Sequence, residues 1–278
     1  MWQRARVMLG TLVTIQVHRP DDALSLDEEA VTHAIEAAFA CMSHIGRVMS
    51  AHDAQSDLGR ISHAGPDSVL SLDPHTVVVL RSALHWHSVS GGAFNPCLAA
   101  SHLSRSGWRP GLRELPAPDS QAWRELRLVS DTQIQVPHAL ALDLGGIAKG
   151  YAVDQAIDVL RAQGVDSALV NAGGDLRAIG PRAWPLQARH AHSSVRDAAV
   201  RGVRHLVQGA VASSVAGPRN PEFVPTLRRM PQWQSATVRA PECMTADVLT
   251  KWALQSSALC PSLSRQLRLQ GARMWRSR

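Results

Sequence analysis

The chain has 278 residues, enough for one large domain or two intimate subdomains around a common core. Hydrophobic residues make up 45% and charged residues 19%, which places it among globular proteins and excludes an intrinsically disordered chain. The net charge of +6 comes from arginines scattered without a run of five or more, so it reads as solubility plus some attraction for an anionic ligand, with no nucleic-acid partner.

No run of 18 apolar residues is present, so no integral membrane helix is expected. The four cysteines, Cys41, Cys97, Cys243 and Cys260, lack Cys-x-x-Cys spacing and read as free or buried thiols that suit a reducing compartment. The opening MWQRARVMLGT has no apolar signal region, so a cytoplasmic protein is expected; a misassigned start would leave a periplasmic or inner-membrane-associated one open. The 13 histidines form no zinc-binding pattern.

In chain order, Val7 to Val17 alternates as a strand, with Val13, Ile15 and Val17 on one face and Gly10 as a bend. Ser25-Leu-Asp-Glu28 reads as a capping box opening a helix to about Met49. Its apolar stripe is Val31, Ile35, Ala38, Phe39, Met42, Ile45 and Met49. Asp73-Pro74 caps a second helix that runs to about Ser90, before Gly91-Gly92. Residues 100–120, rich in Ser, Arg, Pro and Gly, read as a surface loop, and Leu126 to Val136 as a hairpin turning at Ser130-Asp131.

Ala139 to Leu144 has the character of a buried strand. Gly145-Gly146 turns the chain into a helix from Ile147 that Gly164 ends. Ser167 to Val170 is a second buried strand, running into Asn171, Gly173, Gly174 and Asp175. Leu176 to Gly180, Trp184 to Ala188, His205 to Ser214 and Gln234 to Arg239 read as strands, 193–203 as a turn region, and Thr245 as the start of a helix with Asp247 in its first turn. From Pro261 the chain is arginine-rich and reads as a helix or strand with a solvated end. The expected division is a domain at 1–258 and a basic tail at 259–278.

Two glycine turns at successive strand ends, with Lys149 and Asp175 beside them, suit a phosphate-bearing nucleotide: amides and Lys149 for the phosphates, Asp175 for ribose or adenine donors. The spacing fits neither the P-loop nor the dinucleotide fingerprint, and an ordinary α/β packing turn explains the same residues. Among 29 Lys plus Arg only Lys149 and Lys251 are lysines, which points to positions where a compact ammonium is wanted. Tyr151 is the only tyrosine.

The block LDLGGIAKGYAVD followed by ALVNAGGD closely resembles the ApbE family, the FAD:protein FMN transferases, and weaker matches recur in order at MLGTLVTIQV, MSAHDAQSDLGRIS, GGAFNPC and CMTADVLTKWAL. The resemblance implies an α+β fold with mixed sheets flanked by helices, one unit of two intimate subdomains around an FAD cleft. It implies Mg²⁺-dependent transfer of FMN from FAD to a Thr or Ser hydroxyl of a partner flavoprotein, with release of AMP. On this pattern Asp247 and Lys149 are the catalytic candidates. Met49, Ser50 and Asn95, with Leu9, Gly10 and Thr11, lie toward the flavin. Gly145, Gly146 and Lys149 meet the phosphates, and Asn171, Gly173, Gly174 and Asp175 the AMP part. Mg²⁺ would be held by Asp247, the Ala148 carbonyl and Thr250.

The sequence departs from the family pattern in several places. Ser62 stands where Asn is usual, Asn95 where Asp is usual and Cys97 where Thr is usual. AGPRNPEFVPTLRRMPQ lacks the His/Asp-Pro-Arg-Thr-Gly segment held to activate the acceptor hydroxyl. Lys251 takes the place of the metal-binding Thr four residues after Asp247. These departures leave an FAD- or ADP-binding relative without transfer activity, or a Mg²⁺-dependent FAD pyrophosphatase, as alternatives. They also leave two readings of Lys251: a looser Mg²⁺ site on Asp247, or an ammonium paired with Asp247 that partly replaces the metal.

Overall fold

A computed structural model of the chain describes residues 1–18, 27–97, 122–186, 205–216 and 232–277. The helices are α1 (Glu28–Val48), α2 (Asp57–Ser62), α3 (Pro74–Val89), α4 (Ala122–Glu125), α5 (Ala148–Ala162), α6 (Cys243–Gln255) and α7 (Pro261–Leu269). A seven-stranded sheet runs in the order β1 (Trp2–Met8), β2 (Thr11–Val17), β6 (Ala168–Ala172), β7 (Asp175–Ile179), β10 (Gly209–Val215), β11 (Ser235–Ala240), β12 (Arg273–Ser277). A smaller sheet joins β3 (Ser68–Ser71), β5 (Gln133–Val136) and β4 (Arg127–Leu128), and β8 (Trp184–Pro185) pairs with β9 (His205–Leu206). The α+β architecture expected from the sequence is present, and among the described residues the strand pairings are antiparallel.

Strand alternation divides the large sheet into two faces. Val13, Ile15, Val17, Ala168, Val170, Ala172, Ala210 and Ala212 face the helix layer, where α1 packs on α5, α5 on α6, and α6 on β10 and β11. Leu169, Leu176, Ala178 and Val211 point the other way and form a second cluster with Trp184, Leu186 and Leu206. The first cluster runs on through Leu72, Val77, Trp123, Ile134 and Val136, so both larger sheets share one core. That core is chiefly aliphatic, as the scarcity of aromatics requires.

Several elements differ from the sequence expectation. The first strand is a hairpin, because Leu9 and Gly10 both adopt left-handed backbone (φ 53° and 70°). The tip of the Leu9 side chain lies on Gly46 of α1, where a Cβ would come within 2.6 Å of it. α1 is capped by Asp27, whose side chain accepts from the Ala30 amide, and Ser25 lies outside the described residues. Part of the loop after Met49 is helical: Ser56 caps α2 through the Gly59 amide. Residues 139–144 join no sheet; Leu140 and Asp143 donate to the carbonyls of Ile61 and Pro96 instead. Gly209 (φ 100°) splits the expected strand from His205 to Ser214 into β9 and β10. α6 begins at Cys243, two residues early, for a reason given below.

α3, its Asp73 cap and the β4–β5 hairpin stand where expected. Residues 259–277 supply α7 and the edge strand β12, paired along β11 from Ser235↔Ser277 to Arg239↔Arg273. The expected loop at 100–120 and turn region at 193–203 lie outside the described residues.

Candidate functional site

One end of the large sheet gathers most of the expected residues. The pairing Val13↔Ala172 puts the start of β2 beside the β6–β7 turn, and Val211↔Leu176 brings the end of β10 to the same level. At that turn Gly173 and Gly174 take φ of 68° and 112°, and the Asn171 side chain accepts from the Gly174 amide at 2.9 Å. A Cβ on Gly173 would lie 2.5 Å from the Thr11 hydroxyl, so the turn rests directly on the first residue of β2.

The Gly145-Gly146 turn is shaped by Asp143, which accepts from the Gly145 amide at 2.7 Å. Ile147 and Ala148 both donate to the Leu144 carbonyl, at 2.9 and 2.7 Å. Three of the amides expected to meet phosphate are therefore bound within the turn. Gly146 keeps the turn open: a Cβ there would stand 3.3 Å from the Phe94 ring and 3.4 Å from Lys251 Cε. Next to Phe94, Asn95 is buried and accepts from the Cys97 amide at 3.0 Å, shaping its own turn.

Lys149, in the first turn of α5, pairs with Asp175 at 3.0 Å, so the residue expected at phosphate and the one expected at AMP are ion-pair partners. Asp247 is fully buried. Its Oδ2 accepts from the Gly150 amide at 3.4 Å, and its Oδ1 meets the Lys251 ammonium one helical turn on. Burial and the nearby Asp175 push its carboxyl up to about 6, against the pull of Lys251 and Lys149. Both lysines of the chain thus act on one buried carboxylate.

α5 and α6 serve each other's N-termini. Glu242 precedes α6 without a side-chain cap; Asp154 of α5 accepts instead from the Cys243 and Met244 amides, at 2.8 Å each, and from Arg177 of β7 at 2.8 Å. This explains the early start of α6. In return, Asp247 of α6 lies at the first turn of α5 through Gly150, where the helix dipole favours a carboxylate. Gly150 is required for this approach: a Cβ would be 2.6 Å from the Cys243 carbonyl oxygen.

Asp154 and Ser214 are site residues absent from the sequence expectation. The signal for Asp154 was an acid on the buried face of an otherwise apolar helix, which demands donors. Met49 is buried at the end of α1, and the Ser50 carbonyl accepts from Ser56 Oγ at 2.6 Å, so both stand in the α1–α2 connection. Tyr151 packs on α3, its hydroxyl bonded to His75 at 2.7 Å. The groove among Arg161, Arg177, Arg239 and Arg273 is at the other end of the sheet, where Gly209 faces Ala178. The segment expected to activate an acceptor, at 217–231, lies outside the described residues.

The expected Mg²⁺ ligands do not fit a divalent cation in this arrangement. One carboxylate oxygen of Asp247 is covered by an ammonium and the other faces an amide. The Thr250 hydroxyl is bonded to Ser214 Oγ at 2.6 Å and donates to the Asp247 carbonyl at 2.7 Å. Among the described residues no cluster of three or more His, Cys, Asp or Glu is placed to hold a metal.

These features define an α+β protein whose charged site lies where two mutually capped helices meet one end of an antiparallel sheet. Residues 9–257 match the ApbE family model, and the chain belongs to the ApbE family. It is similar to the FAD:protein FMN transferase of Treponema pallidum (strain Nichols), 30% identical over 195 residues, covering 64% of this chain and 52% of that protein. It is also similar to that of Klebsiella pneumoniae (strain 342), 26% identical, covering 65% and 56%. The chain thus spans about half the length of the curated relatives it matches. Among solved structures, the ApbE protein of Thermotoga maritima superposes with a TM-score of 0.76 at 21% identity, covering 99% of this chain and 93% of that one. The flavinyl transferase ApbE of Pseudomonas stutzeri does so with 0.71 at 20%, covering 99% and 90%. These two likenesses establish the fold.

Proposed function

We propose that the chain is an FAD:protein FMN transferase, moving FMN through its phosphoryl group from FAD to a Thr or Ser hydroxyl of a partner flavoprotein. The hydroxyl oxygen forms the new P–O bond, the pyrophosphate bond breaks, AMP leaves, and the acceptor's proton is released. The observation that carries this reading is the pair of ammonium–carboxylate contacts, Lys149 with Asp175 and Lys251 with Asp247, beside the Gly145-Gly146 turn. Phosphoryl transfer depends on positioning and on neutralising charge at the pyrophosphate, and a pair of ammonium groups at the sheet's end suits that task. The relatives' printed name, FAD:protein FMN transferase, supports the same substrate.

In this reading Lys149 and Lys251 face the pyrophosphate, the Asn171–Asp175 turn faces the AMP half, and Met49, Ser50 and Asn95 lie on the flavin side. Mg²⁺ enters only as the ion the family resemblance implies, since Lys251 already occupies Asp247. None of the four cysteines is joined in a disulfide, which suits a reducing setting. No helix among the described residues is long and apolar enough to cross a membrane.

The test is incubation of the purified chain with FAD and candidate acceptor flavoproteins, following AMP and the intact mass of the acceptor together. AMP release with an FMN-sized mass gain is the expected outcome. AMP without mass gain would replace transfer by pyrophosphate hydrolysis. Bound FAD with no AMP would make the chain a flavin-nucleotide binder.

A further inference from the structure

Bonding around the Lys251 ammonium has a fixed direction. An ammonium only donates, so Ser214 Oγ accepts from Lys251 Nζ at 3.1 Å. The single proton of Ser214 then goes to Thr250 Oγ1 at 2.6 Å, and that of Thr250 to the Asp247 carbonyl at 2.7 Å. Both hydroxyl protons are committed to a chain that starts at Lys251 and ends on its own helix. The ammonium also holds Asp247 Oδ1, while the lysine stem runs beneath Gly146, where a Cβ would stand 3.4 Å from Lys251 Cε. Ser214 is buried, and the Lys251 side chain is 10% exposed against 0% for Asp247.

We propose that Lys251 takes the place of a divalent cation in this chain. It supplies a protein-borne positive charge opposite Asp247 that meets the pyrophosphate of FAD, so that flavin-nucleotide binding needs no added metal. This rests on the FMN-transferase reading for its ligand. A divalent ion on Asp247 would have to displace an ammonium in contact with a fully buried carboxylate, and would leave that ammonium beside a like charge with little access to water. The carboxylates Asp175 and Asp247 are already balanced by Lys149 and Lys251, so the anionic ligand meets two fixed donors. A hydroxyl at position 251 would lack this charge and leave Asp247 open to a metal.

The test has two parts. First, the wild-type chain and Lys251→Thr are titrated with Mn²⁺ alone, the free ion being followed by electron paramagnetic resonance. The wild type is expected to take up none, and Lys251→Thr to take up one ion. Stoichiometric uptake by the wild type would overturn the proposal without any reference to flavin.

Second, FAD binding is followed by flavin fluorescence in chelator and in Mg²⁺. The wild type is expected to bind equally in both. Lys251→Met should lose about ten- to a hundredfold in chelator, the range for one charge-assisted hydrogen bond. Lys251→Thr should need Mg²⁺. Wild-type binding that collapses in chelator overturns this proposal alone; no FAD binding in either buffer overturns the flavin reading with it. The wild-type arms require no variant to fold.

Discussion

Gly150→Ala gives a prediction whose sign is opposite to the usual one. In a helix interior this substitution normally stabilises by about 1 kcal/mol, because Ala restricts the unfolded chain and suits the helix. Here the added Cβ would lie 2.6 Å from the Cys243 carbonyl oxygen and 2.8 Å from Met244 Cα, both backbone atoms of α6 that cannot rotate aside. Ordinary contact begins near 3.4 Å, so the helices must part by about 0.6–0.8 Å. The bonds from the Cys243 and Met244 amides to Asp154, now 2.8 Å, would then stretch to about 3.4–3.6 Å, the weak limit of hydrogen bonding. Overpacking costs about 1–3 kcal/mol and a weakened cap up to about 0.5–2, so after a propensity gain of about 1 the expected net loss is about 0.5–4 kcal/mol. At about 2 °C per kcal/mol for a chain of this size, the thermal midpoint should fall by about 1–8 °C. Gly46→Ala is the internal control. Its Cβ would meet only the tip of the Leu9 side chain, which can move, so its midpoint should stay level or rise. Circular dichroism melts of both variants decide the matter. A Gly150→Ala midpoint at or above wild type, or a matching shift in both variants, would refute the close-approach reasoning.

Lys149→Met leaves Asp175 buried without its partner. FAD affinity should fall by about tenfold or more, and Lys149→Arg, with a different headgroup shape, should restore it only in part. Gly173→Ala places a side chain at φ 68° and against Thr11; a loss of about 1–2 kcal/mol is expected in urea denaturation, with weaker FAD binding. For pH, burial pushes the Asp154 carboxyl up to about 6 from an ordinary 3.8, against the pull of Arg177 and the Met244 and Cys243 amides. Between those values the folded protein holds a proton that the unfolded chain has released. The contribution of Asp154 is therefore full below the lower value and is lost as pH rises through about 6, with a slope of at most about 1.4 kcal/mol per pH unit. Asp247, also raised to about 6, titrates in the same window, so urea midpoints should show a steeper slope in the wild type than in Asp154→Asn, the difference being the share of Asp154; equal slopes would assign the titration to another group.

The sequence made the α5 helix, its glycine turns and the α1 and α3 helices legible, because each is written locally: an apolar stripe, a cap, a residue that takes positive φ. What it hid depends on distant contacts. Gly10 reads as a bend, but the left-handed backbone at Leu9 that completes a hairpin is not announced by MLGT, since a non-glycine residue rarely takes it. The segment at 139–144 is nearly as apolar as a strand, yet it donates to the carbonyls of Ile61 in α2 and of Pro96 and joins no ladder, since the partners that decide between the two are about 40 to 80 residues away. From Pro261 the sequence left helix and strand open; the segment holds both, and the arginines of β12 did not show that it would pair as an edge strand, which needs only one covered face. In the site, residue identities were legible and the Lys251–Asp247 pair was one of two readings of the sequence, but the Lys149–Asp175 pair was not foreseen. Lys149 and Asp175 read as separate ligand contacts and turn out to hold each other.

That pairing changes how the site should be understood. Two buried carboxylates, Asp154 and Asp247, lock α5 to α6 by occupying each other's helix ends, and two lysines pair with Asp175 and Asp247 near the Gly145-Gly146 turn. Both ammonium groups are therefore fixed by partners before any ligand arrives, instead of being drawn in by the ligand. A site of this kind orients an anion at little reorganisation, which is what differential stabilisation of a breaking pyrophosphate requires. The same arrangement couples stability to function. Any change that parts α5 from α6 loosens the Asp154 cap and carries Asp247 and Lys251 away from the turn together. Gly150→Ala should consequently lower FAD affinity and melting temperature in step, whereas Lys149→Met should weaken FAD binding without moving α5 from α6; if Gly150→Ala instead melts early yet binds FAD as the wild type does, the helix lock and the ligand site are independent.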